Sequence, residues 1–139
     1  MASDHDIIQS LSGRALPIAW LDKERLEHNI DVLAKLAAPL KIRVASKSIR
    51  SIEVLRLLLE EYPEIFHGIL AYHPDEAVWL AQLGFKDIVI GYPYINWFSV
   101  NQNISTSLDE ITFMVDRAEH LEVINQFGAK LNKKINICF

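Results

Sequence analysis

The sequence predicts an α/β fold built on a parallel sheet, and three observations support this prediction. Apolar runs alternate with amphipathic stretches about every 20 to 27 residues, which is the spacing of strand–helix–strand units. The apolar runs are continuous, as in strands buried on both faces of a parallel sheet. Proline and glycine stand where the intervening helices should begin and end. Right-handed crossovers would arrange these units as a barrel or as an open sheet.

Five strands are predicted in the repeating part of the chain, over residues 41–47, 68–72, 87–91, 111–115 and 135–139. A sixth, earlier strand is predicted over residues 17–21, after a polar lead-in that covers residues 1–15. The chain has 139 residues, which fits a single domain over its whole length. Since a closed eight-stranded barrel typically needs about 250 residues, this chain cannot close one alone.

Helices are predicted between the strands, over residues 23–37, 51–62, 74–83 and 117–127. Asp22 suits the N-cap of the first helix, which carries an apolar stripe made of Leu26, Ile30, Leu33 and Leu36. Gly84 and Gly128 are expected just beyond the ends of the last two helices. Residues 96–107 are rich in asparagine, serine and threonine, so a helix there must be short or replaced by a loop.

Composition excludes several classes of function. The net charge is −4 and no run of lysine and arginine is present, so binding to nucleic acid or to an anionic membrane is not expected. Cys138 is the only cysteine, which excludes an intramolecular disulfide and favours a reducing compartment. The N-terminus lacks the pattern of a signal peptide, and no apolar stretch approaches the roughly 20 residues of a membrane span. A cytoplasmic protein is the expectation.

Lys47 is the main candidate for chemistry. It ends the strand predicted over residues 41–47, and ligands of parallel α/β sheets bind at the carboxyl ends of the strands. Flanking positive charge from Arg43 and Arg50 would lower the proton affinity of its amine. The alternative interpretation is a solvated lysine at a strand end, since the register that sets its direction is not fixed by the pattern.

Three segments carry a resemblance to a known family. They are residues 16–22 (Leu-Pro-Ile-Ala-Trp-Leu-Asp), the helix with Glu27, Asn29 and Ile30, and residues 43–51 (Arg-Val-Ala-Ser-Lys-Ser-Ile-Arg-Ser). Together they resemble the opening of the alanine racemase N-terminal-domain superfamily, and within it the D-threonine aldolase and D-serine dehydratase branch. Residues 71–77 and 87–93 fit the second and third strands of that family in order and spacing. The resemblance runs from about residue 16 to residue 139.

The resemblance implies a fold, a cofactor and a reaction. The fold would be a partial (β/α)8 TIM barrel, with about five parallel strands of the N-terminal half, and residues 16–22 would be a strand of a second, β-rich domain. The lysine that matches Lys47 forms a Schiff base with pyridoxal phosphate in this family, and Tyr72 falls beside the cofactor. The implied substrate is a D-amino acid or a β-hydroxy amino acid, in a homodimeric racemase, dehydratase or aldolase. The family's phosphate-binding loops and metal ligands have no counterpart in this chain.

Two other functions are compatible with the same residues. One is a non-catalytic pyridoxal-phosphate carrier, like the single-domain homeostasis proteins of the superfamily. The other is a cofactor-free half-barrel assembly module, in which the strand at residues 135–139 would pair with a second copy.

Four further residues receive minor interpretations. They are Tyr92 and Tyr94 at the mouth of the sheet, Asp116 as a helix cap, and His73 as a surface or capping residue.

Overall fold

The computed structural model describes residues 3–15, 17–100 and 108–139. These residues divide into two compact units, Met1–Pro39 and Leu40–Phe139, which are described separately. The prediction of one domain over residues 1–139 stays a prediction.

The first unit contains two capped helices, α1 (Asp4–Leu11) and α2 (Lys23–Ala37). Helix α2 has the predicted bounds, and the Asp22 side chain caps it by accepting a hydrogen bond of 3.1 Å from the Arg25 N–H. The predicted apolar stripe is only partly buried, because Ile30 is 1% exposed whereas Leu36 is 77% exposed.

The strand predicted before helix α2 is wrong, because residues 17–22 adopt no regular secondary structure. Leu16 lies outside the described residues. A strand requires a neighbour that takes up its backbone hydrogen bonds. Pro17, in addition, has no N–H to donate. Its assignment to a second β domain therefore rests on the resemblance alone.

The second unit contains a five-stranded sheet in which every pair of neighbours is parallel and the strands lie side by side in chain order. The strands are β1 (Ile42–Ala45), β2 (Phe66–Ala71), β3 (Ile88–Ile90), β4 (Ile111–Met114) and β5 (Asn136–Cys138). All five predicted strands of the repeating part are confirmed. The α/β class with a parallel sheet is confirmed with them.

Helical segments follow each of the first four strands. They are α3 (Ser46–Ile49), α4 (Ile52–Arg56) with a π-helical continuation (Leu57–Glu61), α5 (Pro74–Gln82), α6 (Trp97–Val100), a 3₁₀ turn (Leu108–Glu110) and α7 (Ala118–Leu131). The predicted caps of α5 are confirmed. His73 Nδ1 accepts a hydrogen bond of 3.2 Å from the Asp75 N–H, and Gly84 follows the helix with φ +91°. A short helix or a loop is predicted over residues 96–107. The structure describes the short helix α6 in this segment, and residues 101–107 lie outside the described residues.

The end of α7 corrects one prediction, because Gly128 lies inside this helix and does not terminate it. The helix ends at Leu131, and Asn132 takes the left-handed conformation with φ 51°. Gly128 is needed for another reason. A Cβ at this position would lie 2.8 Å from the Lys133 carbonyl oxygen, since the chain folds back over it. The cap predicted at Asp116 is also wrong, because Arg117 occupies the N-cap position.

The strands bury one face more completely than the other. Val44, Ile69, Ile88 and Ile111 lie in register across four strands, and each is at most 5% exposed. Helix α5 contacts β2, β3 and β4. The next residues along β2, β3 and β4 (Leu70, Val89 and Thr112) are half-buried. The expectation that both faces are fully buried is therefore wrong for these residues.

The amino ends of three strands are joined by a charged cluster. Arg43 donates hydrogen bonds of 3.0 and 2.9 Å to the Asp87 carboxylate and one of 2.5 Å to the Asp87 carbonyl oxygen. His67 Nε2 lies 2.6 Å from the same carboxylate. The Arg43 side chain crosses β2 at Gly68, where the register between β1 and β2 shifts. Gly68 has φ +64°, and a Cβ there would overlap Arg43 and Asp87.

We expect Gly68→Ala to lower the free energy of unfolding by about 2 to 4 kcal/mol, because a strained φ and a steric overlap add. Gly84→Ala is the matched control. Its φ is also positive, but nothing lies within 4 Å of the added Cβ, so a loss of about 1 kcal/mol is expected. Urea denaturation of both variants measures the difference. Equal losses in the two variants would show that the Arg43 crossing imposes no steric constraint.

Candidate functional site

Lys47 lies in the first turn after β1, whereas the sequence predicts it as the last residue of the strand. The pairing of β1 with β2 ends at Ala45 and Leu70. Ser46 then begins a four-residue helix, since its carbonyl oxygen accepts a hydrogen bond of 2.9 Å from the Arg50 N–H. Arg50 ends the turn in the left-handed conformation with φ 53°. Lys47 therefore remains at the carboxyl edge of the sheet, as predicted.

The Lys47 amine lies beside two tyrosine rings that follow β2 and β3. Its Nζ atom is 5.4 Å from the ring centroid of Tyr72 and 5.9 Å from that of Tyr92. The two rings meet edge to face, with their centroids 5.3 Å apart. The structure thus brings together Lys47 and Tyr72, the two predicted site residues, and adds Tyr92, which is predicted at the same mouth.

These side chains border a small crevice of about 90 Å³, lined by Lys47, Leu70, Ala71, Tyr72, Gly91 and Tyr92. Leu70 belongs to the half-buried face of the sheet, so the crevice adjoins that face. Ligand pockets usually enclose about 300 to 1,000 Å³, so this crevice has room for the reacting end of a ligand and not for a whole one. Gly91 keeps it open, because a Cβ there would lie 3.3 Å from Leu70 Cδ1.

Glu76 is part of this site and was not predicted from the sequence. One of its carboxylate oxygens accepts a hydrogen bond of 2.7 Å from the Ser46 hydroxyl, and the other accepts one of 2.9 Å from the Tyr72 N–H. The sequence indicated only that an acidic residue stands near the positive end of α5. The signal that the sequence offers is the serine directly before the candidate lysine. In the structure this residue, Ser46, is 4% exposed.

Tyr94 lies close to Tyr72, Tyr92 and Glu76 and adds a third tyrosine to this site. Its ring packs edge to face on the His73 ring, with the centroids 4.8 Å apart. Desolvation raises the pKa of the Tyr94 phenol above its usual value, and the neighbouring Tyr72, Tyr92 and Glu76 raise it further. A phenol in this environment stays protonated and can donate a hydrogen bond at neutral pH.

The two arginines expected beside the Lys47 amine have other partners. Arg43 binds Asp87 at the amino end of β3, so it does not flank the amine. Arg50 donates a hydrogen bond of 3.0 Å from Nε to the Lys47 carbonyl oxygen. The contacts described for the Lys47 amine are those with the rings of Tyr72 and Tyr92.

A second polar pair follows β4. His120 is 8% exposed, and its Nδ1 lies 3.0 Å from an Asp116 carboxylate oxygen.

Within the described ranges, no group of three or more histidine, cysteine, aspartate or glutamate side chains is arranged to hold a metal ion. Among the helices that the structure describes, none is both long and apolar enough to cross a membrane.

The fold and the site define an α/β protein whose parallel sheet presents a lysine between two tyrosines at its carboxyl edge. No protein-family model, curated protein or solved structure matches the chain. Functional inference therefore depends on the chemistry of these residues and on the resemblance of their sequence segments.

We expect the raised pKa of Tyr94 to make part of the stability pH-dependent in alkaline solution. The folded state holds the phenolic proton more tightly than the unfolded state, so this contribution is complete below the unfolded pKa of 10.0. It is lost as the pH rises through the folded pKa. Tyrosinate absorbance should show a late-titrating phenol that Tyr94→Phe removes. Tyr62→Phe, which changes a tyrosine outside this group, should keep the late-titrating phase. If the late phase persists in Tyr94→Phe, its assignment to Tyr94 is contradicted.

Proposed function

We propose that this chain is the N-terminal part of a pyridoxal-phosphate-dependent enzyme of the alanine racemase-like superfamily, acting on a D-amino acid or a β-hydroxy amino acid. The observation that carries the proposal is the Lys47 amine at the carboxyl edge of the sheet, 5.4 Å from the ring centroid of Tyr72. The resemblance of residues 43–51 to the family's lysine segment supports the same conclusion.

The topology supports a partial (β/α)8 barrel as the fold of this chain. Doubly wound sheets reverse their strand order at a switch point and carry helices on both faces. Here the order runs β1 to β5 without reversal, and one face of the sheet is more buried than the other. In a barrel, the half-buried residues Leu70, Val89 and Thr112 would be inner-layer positions, to be covered by the remaining strands.

The residues at the edge of the sheet fit the aldehyde end of the cofactor. Condensation with an aldehyde needs an accessible primary amine, and no carboxylate among the described residues lies within ion-pair distance of the Lys47 amine. When bound, pyridoxal phosphate supplies an electron sink for the bond that is broken at the substrate Cα. Tyr72 and Tyr92 would exclude water from one side of that centre. Lys47 Nζ would move the proton at the substrate Cα.

The decisive experiment is site-selective labelling of Lys47. The chain is incubated with pyridoxal phosphate, reduced with borohydride, and mapped by peptide mass spectrometry. We expect Lys47 to carry more label than Lys41, an exposed lysine that donates a hydrogen bond of 2.9 Å to the Pro63 carbonyl oxygen and pairs with Glu64 at 3.8 Å. Lys47→Arg should remove this preference, and Lys41→Arg should preserve it. Label spread evenly over exposed lysines would refute the proposal.

A non-catalytic carrier and an assembly module are separated from the enzyme by two further readouts. A carrier would show the same Lys47 label, but the complete protein would neither racemise nor cleave D-serine or D-threonine. The half-buried sheet face at Leu70, Val89 and Thr112 favours the module as the second candidate. A module would elute from a sizing column as a dimer and would leave Lys47 no more reactive than Lys41.

A further inference from the structure

Glu76 occupies an unusual place for a glutamate at the third position of a helix. In a capping box, a glutamate at this position returns to the backbone N–H of the N-cap residue, which in α5 is His73. Glu76 instead accepts its backbone hydrogen bond from Tyr72, one residue earlier. Its other oxygen reaches the Ser46 hydroxyl, 30 residues away in the chain. Capping of α5 therefore does not account for the position of this carboxylate.

The cap of α5 is supplied by other groups. The His73 side chain accepts a hydrogen bond from the Asp75 N–H, and Pro74 at the first helical position has no N–H that needs a partner. The Glu76 carboxylate is thus available for contacts between elements. One oxygen meets the turn after β1 and the other meets the turn after β2, and both partners donate to an ionised acceptor, which makes the bonds strong ones.

Both partners of Glu76 stand next to the candidate site. Ser46 directly precedes Lys47, and Tyr72 provides the ring nearest to the Lys47 amine. The Leu70 carbonyl oxygen lies 3.3 Å from the Ser46 hydroxyl, but the hydroxyl has a single proton and donates it over the shorter distance of 2.7 Å to Glu76. Since Ser46 is 4% exposed, a hydroxyl that lost the carboxylate would find little water and would turn to the longer hydrogen bond with Leu70 on β2, so the link to α5 would be lost.

We propose that Glu76 is a positioning residue that joins the turn bearing Lys47 to the turn bearing Tyr72 and thereby fixes the amine against the tyrosine ring. This inference rests on the proposed function of Lys47. Glu76 lies behind both residues and acts through them. Without its carboxylate the two turns would be held together mainly by the parallel pairing of β1 and β2, which ends at Ala45 and Leu70.

The test compares Glu76→Gln and Ser46→Ala with the unaltered chain in the labelling experiment. The measured quantity is the ratio of Lys47 label to Lys41 label within the same molecules, which cancels differences in total protein. Labelling is carried out on the folded fraction from a sizing column, because unfolded chains would label both lysines alike. Glu76→Gln retains one acceptor oxygen in place of two, and Ser46→Ala removes a single hydroxyl, so the second variant remains informative if the first fails to fold. Each is expected to lower the ratio by about fivefold, the effect of one lost hydrogen bond.

Glu53→Gln is the matched control, because Glu53 also lies in the first turn of a helix and accepts a serine hydroxyl, at 2.9 Å from Ser51. It should leave the labelling ratio unchanged. A second readout is independent of the cofactor. Glu76 raises the pKa of Tyr94, so Glu76→Gln should shift the late tyrosinate titration to lower pH, whereas Glu53→Gln should not.

The outcomes separate the two proposals. If Lys47 is not preferred in the unaltered chain, the proposed function fails and this inference fails with it. If Lys47 is preferred and Glu76→Gln and Ser46→Ala keep the full ratio, the role of Glu76 is overturned while the proposed function stands. A lowered ratio in both variants, together with an unchanged ratio in Glu53→Gln, is the expected result.

Discussion

Parallel pairing of the strands in chain order is the constraint on which the rest of this structure depends. Parallel neighbours need a crossover between them, and the crossovers return each strand to the same end of the sheet. The carboxyl ends of β1, β2 and β3 therefore meet, although Lys47, Tyr72 and Tyr92 are separated by 20 or more residues in the chain. No local motif would bring these three side chains together.

The two ends of the sheet are held by different chemistry. At the amino end, the Arg43 guanidinium binds the Asp87 carboxylate and backbone, with His67 on the same carboxylate. At the carboxyl end, the Glu76 carboxylate accepts from a hydroxyl and a backbone N–H. In each case one carboxylate joins neighbouring elements. The amino end uses it to neutralise a cation, whereas the carboxyl end leaves the nearby lysine amine without a described acidic partner.

Much of the fold could be predicted because it depends on local signals. The five strands are short apolar runs bounded by turns, and the caps at Asp22 and Gly84 follow from side-chain and backbone chemistry alone. The errors arise where the path of the folded backbone decides. Gly128 lies inside α7, where a Cβ would meet the Lys133 carbonyl oxygen, and residues 17–22 adopt no regular secondary structure. The same reason explains why Glu76 was missed, since its partners become visible only when β1 and β2 are paired.

The π-helical turn at Leu57–Glu61 leads directly into the connection to β2. It forms the last turn of the helical segment, and its hydrogen bonds span five residues instead of four, so this turn is wider than an α-helical one. Tyr62 lies directly after the turn, and its carbonyl oxygen receives the N–H groups of Ile65 and Phe66, where β2 starts. The helix end and the start of β2 are therefore separated by only four residues, Tyr62–Ile65, and one carbonyl oxygen closes this short connection.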